Sequence, residues 1–217
     1  MRRLVILAAA LLATTGFAAE IRGSGRVVEQ SRPVSDFQAI RSEGAWSLDV
    51  KVGPAPSLKI RADDNLLPLI ETTVQKGELT IRFKEHQSIS LDNKSSLRIE
   101  VTVPRLSGYS HEGAGKTVFR DLAGERFALS YEGAGLITAT GRVDNLTVQA
   151  SGAGSLDLDG LKTRNATVNL EGVGAVSVYA SESLTAAVDG IGSLTYFGKP
   201  AKVSKAVSGI GTVRAGD

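Results

Sequence analysis

Apolar and polar residues alternate with period two through the second half of the chain. Let Gly113, Gly133, Gly152, Gly172, Gly190 and Gly209 mark position zero of six successive segments. Positions −6, −4, −2, +4 and +6 then carry 26 apolar residues in 30, the exceptions being Ser107, His111, Thr117 and Lys205. The odd positions between them carry only 6 apolar residues in 30 and are mainly Ser, Thr, Asn, Gln, Asp and Glu. Leu146, Val148, Ala150, Leu156 and Leu158 make up the apolar row of the third segment. This alternation predicts strands with one buried and one wet face, whereas a helix would need period 3.6.

Each segment is punctuated by a Gly-x-Gly element. The pairs are Gly113 and Gly115, Gly133 and Gly135, Gly152 and Gly154, Gly172 and Gly174, Gly190 and Gly192, and Gly209 and Gly211. Successive first glycines are 20, 19, 20, 18 and 19 residues apart, and the six pairs account for twelve of the 24 glycines. A period near 20 predicts a stacked array: an all-β, right-handed β-helix-like solenoid of about six coils, each burying its apolar row on its neighbours. Both glycines sit on the buried parity. They are expected at a corner where the wall bends and the interior has little room for a Cβ atom.

The same frame fits Ile40 to Val50 with Gly44 at zero, but Trp46 stands where the second glycine belongs. An indole there suggests a looser corner, and hence an edge or capping coil. From about 53 to 105 the period is lost. Leu58 to Arg61, Leu79 to Phe83 and Leu97 to Val103 alternate as strands; Leu66 to Ile70 is ambiguous around Pro68; Lys76-Gly77-Glu78 reads as a hairpin turn; residues 84–96 form a polar loop or irregular strand. The chain therefore divides into residues 1–18, residues 19–105 as an N-terminal β region with a capping coil, and residues 106–217 as the Gly-x-Gly array, continuous with what precedes it.

The first 19 residues, MRRLVILAAALLATTGFAA, read as a secretory signal peptide. Arg2 and Arg3 supply the positive start, Leu4 to Leu12 the apolar stretch, and Gly16 and Ala18 the small residues before a cut after Ala18. No cysteine follows, so a lipid anchor is not expected, and nothing after residue 19 is expected to cross a membrane. The whole chain has 25 Lys and Arg against 23 Asp and Glu. Cleavage removes two arginines and leaves the balance at zero. No basic field remains to hold nucleic acid. The absence of cysteine excludes disulfides, thiolate metal sites and a cysteine nucleophile.

The opening Gly23-Ser24-Gly25-Arg26, then Phe37-Gln38-Ala39-Ile40 followed by Gly44, then the Glu/Ser/Asp-Gly-x-Gly segments, resemble the DUF2807 family, labelled putative auto-transporter adhesin, head GIN domain. The likeness covers about residues 23–215. It implies a β-helix-like fold and export in bacteria, with no established activity. The chain stops at Asp217 without a translocation barrel, so a free periplasmic or secreted product is expected rather than a self-displaying adhesin.

Several residue sets invite chemistry. Gly-x-Gly is not read as a dinucleotide loop, which needs a following helix N-terminus and is not repeated six times. Position −1 gives an acidic column, Glu112, Glu132, Glu171 and Asp189, interrupted by Ser151 and Ser208. Such a column could attract Ca²⁺, although known calcium solenoids use a nine-residue repeat; the plainer reading is a wet acidic edge. Position +1 runs Ala114, Ala134, Ala153, Val173, Ile191, Ile210. If parity survives the bend, Val173, Ile191 and Ile210 form an outward apolar stripe for a partner or a second copy; if it breaks, they are buried. Thr147, Thr167, Thr185 and Ser204 form a hydroxyl row best read as a solvated face. His86 and His111 are the only imidazoles, too few for a metal site of ordinary spacing. Asp157, Asp159 and Arg164 could line a lateral groove, yet their spacing does not single them out. No catalytic residue, cofactor site or metal site is assigned.

These features predict an exported, non-enzymatic binding or adhesion-type module of the cell envelope. The partner is an unidentified envelope protein or glycan, with self-association left open. Two alternatives stand beside it: a polysaccharide-binding or polysaccharide-cleaving β-helix, weakened by an aromatic content of only 5%, and a self-assembling envelope scaffold. Lys205 on the buried parity of the last coil, together with Arg214, is expected to guard that end against pairing with copies.

Overall fold

The structure, a computed structural model, describes residues 20–84, 88–90 and 97–217. The expected signal peptide and most of the expected polar loop, His86 included, lie outside the described residues. The strands in chain order are β1 (Glu20–Arg22), β2 (Val27–Arg32), β3 (Ala39–Val52), β4 (Ser57–Asp63), β5 (Ile70–Gln75), β6 (Glu78–Phe83), β7 (Ser88–Ser90), β8 (Arg98–Val103), β9 (Gly108–Leu158), β10 (Leu161–Tyr179), β11 (Ser183–Phe197), β12 (Lys202–Gly209) and β13 (Thr212–Ala215). A 3-10 turn at Leu67–Leu69, with Pro68 in its first turn, resolves most of the ambiguous stretch as non-strand, and Ile70 opens β5.

The fold is all-β. The main sheet runs β12-β11-β10-β9-β3-β8-β4-β2 and does not close on itself; β13 pairs with β11, β6 with β3, and β5 with β6. β1 and β7 make a separate parallel pair. Pairing among β9, β10, β11 and β12 is parallel and keeps the repeat in register. Gly172 lies opposite Gly152 and Gly190, Gly174 opposite Gly154 and Gly192, and Gly209 opposite Gly190. The long β9 covers more than two repeats, and its own segments stack, with Gly133 against Gly113 and Gly152 against Gly133.

Side chains follow the predicted parity. Leu146, Val148, Leu156, Leu158, Val168, Val176, Val178, Leu184 and Leu194 are all buried, while Thr147, Thr167 and Thr185 on the other face are exposed. Burying one such aliphatic side chain contributes roughly 1.5–3 kcal/mol, so the row is a large part of what holds each segment. The polar exceptions have partners or find water. Thr117 is buried with its Oγ1 2.9 Å from the Tyr109 hydroxyl, and Lys205 stays exposed.

The Gly44 segment is not at an edge. β3 pairs with β9 from Ala39 to Lys51, placing Gly44 opposite Gly113 and Trp46 opposite Gly115. On its other side it pairs with β6 and β8. The indole is buried, 5.2 Å from the Phe83 ring, and its Nε1 donates to Ser42 Oγ at 2.9 Å. Its six-membered ring fills the space a Cβ at Gly44 would take. Trp46 is therefore a core residue at a packed position, not a sign of an open corner. Beyond β3 the sheet turns mixed, since β4 is antiparallel to both β8 and β2, and β5 and β6 form a hairpin through Lys76 (φ 50°) and Gly77 (φ 79°).

The glycines answer to a tighter constraint than a cramped interior. Gly113, Gly133, Gly152, Gly172, Gly190 and Gly209 all have φ between 90° and 135°. A Cβ at Gly133 would stand 1.9 Å from the Gly113 carbonyl oxygen, and one at Gly172 would stand 2.4 Å from that of Gly152. The obstruction is the backbone of the neighbouring segment, along the stacking direction. Within the six Gly-x-Gly pairs, only at Gly192 and Gly211 is the nearest obstacle an interior side chain, Leu170 and Val188 respectively.

Gly133→Ala and Gly77→Ala separate conformation from contact. Both glycines have positive φ, but nothing lies within 4 Å of a Cβ at Gly77. Gly77→Ala is expected to cost about 1–2 kcal/mol in urea unfolding. Gly133→Ala is expected to cost more than about 4 kcal/mol or to prevent folding. Equal costs would mean that the facing carbonyl is not what demands glycine.

Candidate functional site

The outward residues of the Gly-x-Gly elements form one continuous column. Ala45 pairs with Ala114, Ala153 with Val173, and Val173 with Ile191; the Ile210 amide donates to the Gly190 carbonyl at 2.9 Å and so extends the row. Exposure resolves their direction. Val173 is 54% exposed, Ile191 57% and Ile210 79%. The side chains lengthen towards one end, from alanine through valine to isoleucine. Solvent-facing branched aliphatics of this kind are costly to leave bare, and three in register make a patch rather than scatter.

Next to this column runs the acidic one. Glu112, Glu132, Glu171 and Asp189 are all exposed, and Glu171 lies opposite both Ser151 and Asp189. The register adds Glu43, opposite Glu112. The sequence frame already put Glu43 at position −1, but Trp46 in place of the second glycine hid the relation. Among the described residues no group of three or more His, Asp or Glu side chains is placed to hold a metal ion. Two shallow hollows open beside these columns. One, about 320 Å³, is lined by Ser130, Glu132, Gln149, Ser151, Asn169 and Glu171, with Tyr131 and Ala150 beneath; the other, about 370 Å³, continues it past Asn169 and Asp189 to Val207 and Ser208. The single aromatic along them, Tyr131, is 3% exposed and offers no ring face to a sugar.

His111 lies inside, not at a surface site. Its ring stacks between Tyr109 and Tyr131, at centroid distances of 6.2 and 5.8 Å, and its Nδ1 is 3.3 Å from Ser42 Oγ, which also accepts from Trp46. Burial lowers the imidazole pKa below its usual value, and it pushes the Tyr109 hydroxyl up to about 12. Burial also raises Tyr131, whose hydroxyl has no hydrogen-bond partner among the described residues.

The suggested lateral groove is only half assembled. Asp157 and Asp159 do meet: burial and the neighbouring Asp159 raise the Asp157 pKa. Arg164 pairs instead with Glu182, its Nε 2.8 Å from Oε1. No helix among the described residues is long and apolar enough to cross a membrane.

A family model described as "Putative auto-transporter adhesin, head GIN domain" (DUF2807) matches residues 36–200. Among solved structures, a "putative adhesin" from Bacteroides fragilis NCTC 9343 is similar at 22% identity with a TM-score of 0.72, over 90% of this chain and 99% of that one. A "putative lipid binding protein" from Parabacteroides distasonis ATCC 8503 is similar at 22% identity and TM-score 0.56, over 92% and 100%. A "putative adhesin" from Parabacteroides merdae ATCC 43184 gives 16% identity and TM-score 0.51, over 91% and 99%. At these identities the likeness is one of fold. A comparison with curated proteins finds no match.

The buried imidazole makes a pH prediction. Below about pH 6.5 an unfolded histidine takes up a proton that folded His111 still refuses. The stability it contributes is therefore complete above that pH and falls as pH drops towards the lowered folded value. The urea midpoint of the native protein, relative to His111→Gln, is expected to be highest near about pH 7.5 and to shrink by about pH 5. A gap independent of pH would show that burial of the neutral ring is not what the site supplies.

Proposed function

The chain belongs to the DUF2807 family, and on that premise we propose that it is an exported, non-enzymatic binding module of the bacterial cell envelope, built as a right-handed β-solenoid. Parallel pairing at one-repeat offsets, with glycine opposite glycine, supports the solenoid. The usual right-handed sense of parallel connections supports its hand. Regions 19–105 and 106–217 act as one unit in this reading, which the unbroken pairing of β3 with β9 favours. Residues 1–18 direct export and are removed.

The observation that carries the binding role is the aligned exposure of Val173, Ile191 and Ile210. A regular wall of β-structure holds them in fixed positions, so a partner protein gains their burial without the entropy cost of ordering a loop. The flanking carboxylates Glu171 and Asp189 provide a polar rim around this apolar centre. Adhesion-type proteins dominate the names of the family and of the similar structures, and none of these names is an enzyme's. The polysaccharide reading loses support from the hollows beside the stripe, where hydroxyls and carboxylates line the floor without an exposed ring.

The test is capture of envelope proteins by the native chain and by Ile191→Asp/Ile210→Asp. The variant is expected to keep its β-type circular dichroism, since both side chains face solvent, and to lose its captured proteins by about tenfold or more. A folded variant that recovers the same proteins in the same amounts would exclude the stripe as the docking surface. A single clear ligand on a glycan array would favour the polysaccharide reading.

A further inference from the structure

The last coil is half covered. Every inner row from β9 to β11 has a segment on each side, but among the described residues β12 ends the main sheet and pairs only with β11. All eight residues of β12 are exposed, including the two valines that continue the buried row, Val203 at 40% and Val207 at 47%. The backbone is open too. The amides of Lys202 and Ile210 donate to Glu182 and Gly190 on the β11 side. In a parallel ladder such bonds alternate, so the N–H and C=O groups of Val203, Lys205 and Val207 face the free edge. This edge thus presents an unpaired ladder and an unfilled apolar row at the same place.

Charge narrows what fits. β12 reads KVSKAVSG, with two lysines and no acid, and Arg214 on β13 stands in the same terminal coil. Lys205 Nζ donates to the Val213 carbonyl at 3.1 Å and lies 4.8 Å from the Tyr196 ring, while Val203 and Val207 remain uncovered beside it. We propose that the free edge of β12 receives an extended acidic segment of a partner protein, which adds to the sheet as a further strand. Its inward residues complete the row over Val203 and Val207, and its outward carboxylates meet Lys202, which strand alternation sets on the face opposite those valines. This surface is separate from the outward stripe at Val173 and Ile191 and does not depend on it.

Two other occupants fit less well. A second copy meeting edge to edge would set the lysines of one β12 against those of the other, and like charges across a strand pair repel. The opposite end strand, β2, offers one acid, Glu29, which already lies 3.9 Å from Lys59 Nζ, and it carries Arg32. A lipid surface would satisfy the charges and the valines but leave the N–H and C=O groups without partners in hydrocarbon. Strand addition satisfies all three.

The probe is a fluorescent eight-residue peptide alternating valine with glutamate, followed by anisotropy on the purified protein. Binding is expected for this peptide. It should weaken about tenfold when lysine replaces glutamate in the peptide, and by a similar factor in Lys202→Glu. N-methylation of alternate peptide amides, with charge unchanged, is expected to weaken it roughly five- to tenfold, as is Val207→Pro, which removes an outward N–H and spares the bonds to β11. Ile191→Asp is expected to bind the peptide as the native protein does, so failure of this proposal and failure of the stripe are read separately. Equal binding of the lysine peptide, or indifference to N-methylation, overturns strand addition. So does co-sedimentation with phosphatidylglycerol vesicles that Lys202→Glu abolishes, which would assign the edge to lipid. Dimerisation in sedimentation velocity that Val207→Pro abolishes would assign it to a second copy and would equally overturn the proposal.

Discussion

Where one segment of the array presents a glycine carbonyl oxygen, the next has no room for a side chain. A Cβ built at Gly113, Gly133, Gly152, Gly172 or Gly190 would stand within 2.4 Å of the carbonyl oxygen of the glycine opposite it in the preceding segment. The dihedrals at these positions are ones that other residues rarely adopt. This close approach locks each segment to its neighbour at one register. Because strand side chains alternate, a slip of one residue would turn the whole apolar row outward. The core, the acidic column and the outward stripe all depend on that lock.

The periodic half of the fold was legible because its information is local. Twenty residues contain a full apolar row, a Gly-x-Gly element and a polar row, and the next twenty repeat them. Parity alone located Leu146, Val168 and Leu184 in the core. It also located Glu112 and Glu132 on the surface. The N-terminal half resisted because its pairings are not repeats of anything nearby. Nothing around Leu58 or Ile99 announces that β4 runs antiparallel to β8, and nothing around Gly44 says that β6 and β8 will share the far side of β3. Trp46 misled by its size. Its volume was read as a disturbance, whereas Phe83 and Ser42, distant in sequence, had built a place for it.

The candidate surface was half legible for a similar reason. Which residues occupy position +1 is a matter of counting. Which way they point depends on the backbone path through the two glycines, and φ values of 90° to 135° at the first of them are not written in the neighbouring residue types. Once direction is known, the gradient from Ala114 to Ile210 acquires meaning: the apolar surface is concentrated towards the strand that also ends the sheet. Both ends of the array are thus chemically distinct, one built from a mixed, irregular sheet and the other from an open parallel strand with lysines.

Trp46 has one further consequence. It is the only tryptophan in the chain and sits in β3, several strands away from β12. Among the described residues β12 is an end strand held by β11 alone, so it can detach while the remainder stays intact. Indole emission would register loss of the β3 and β6 neighbourhood and stay silent while Val203 and Val207 fray. An optical melting curve of this protein therefore describes its middle, and amide exchange is the observable that sees its far end.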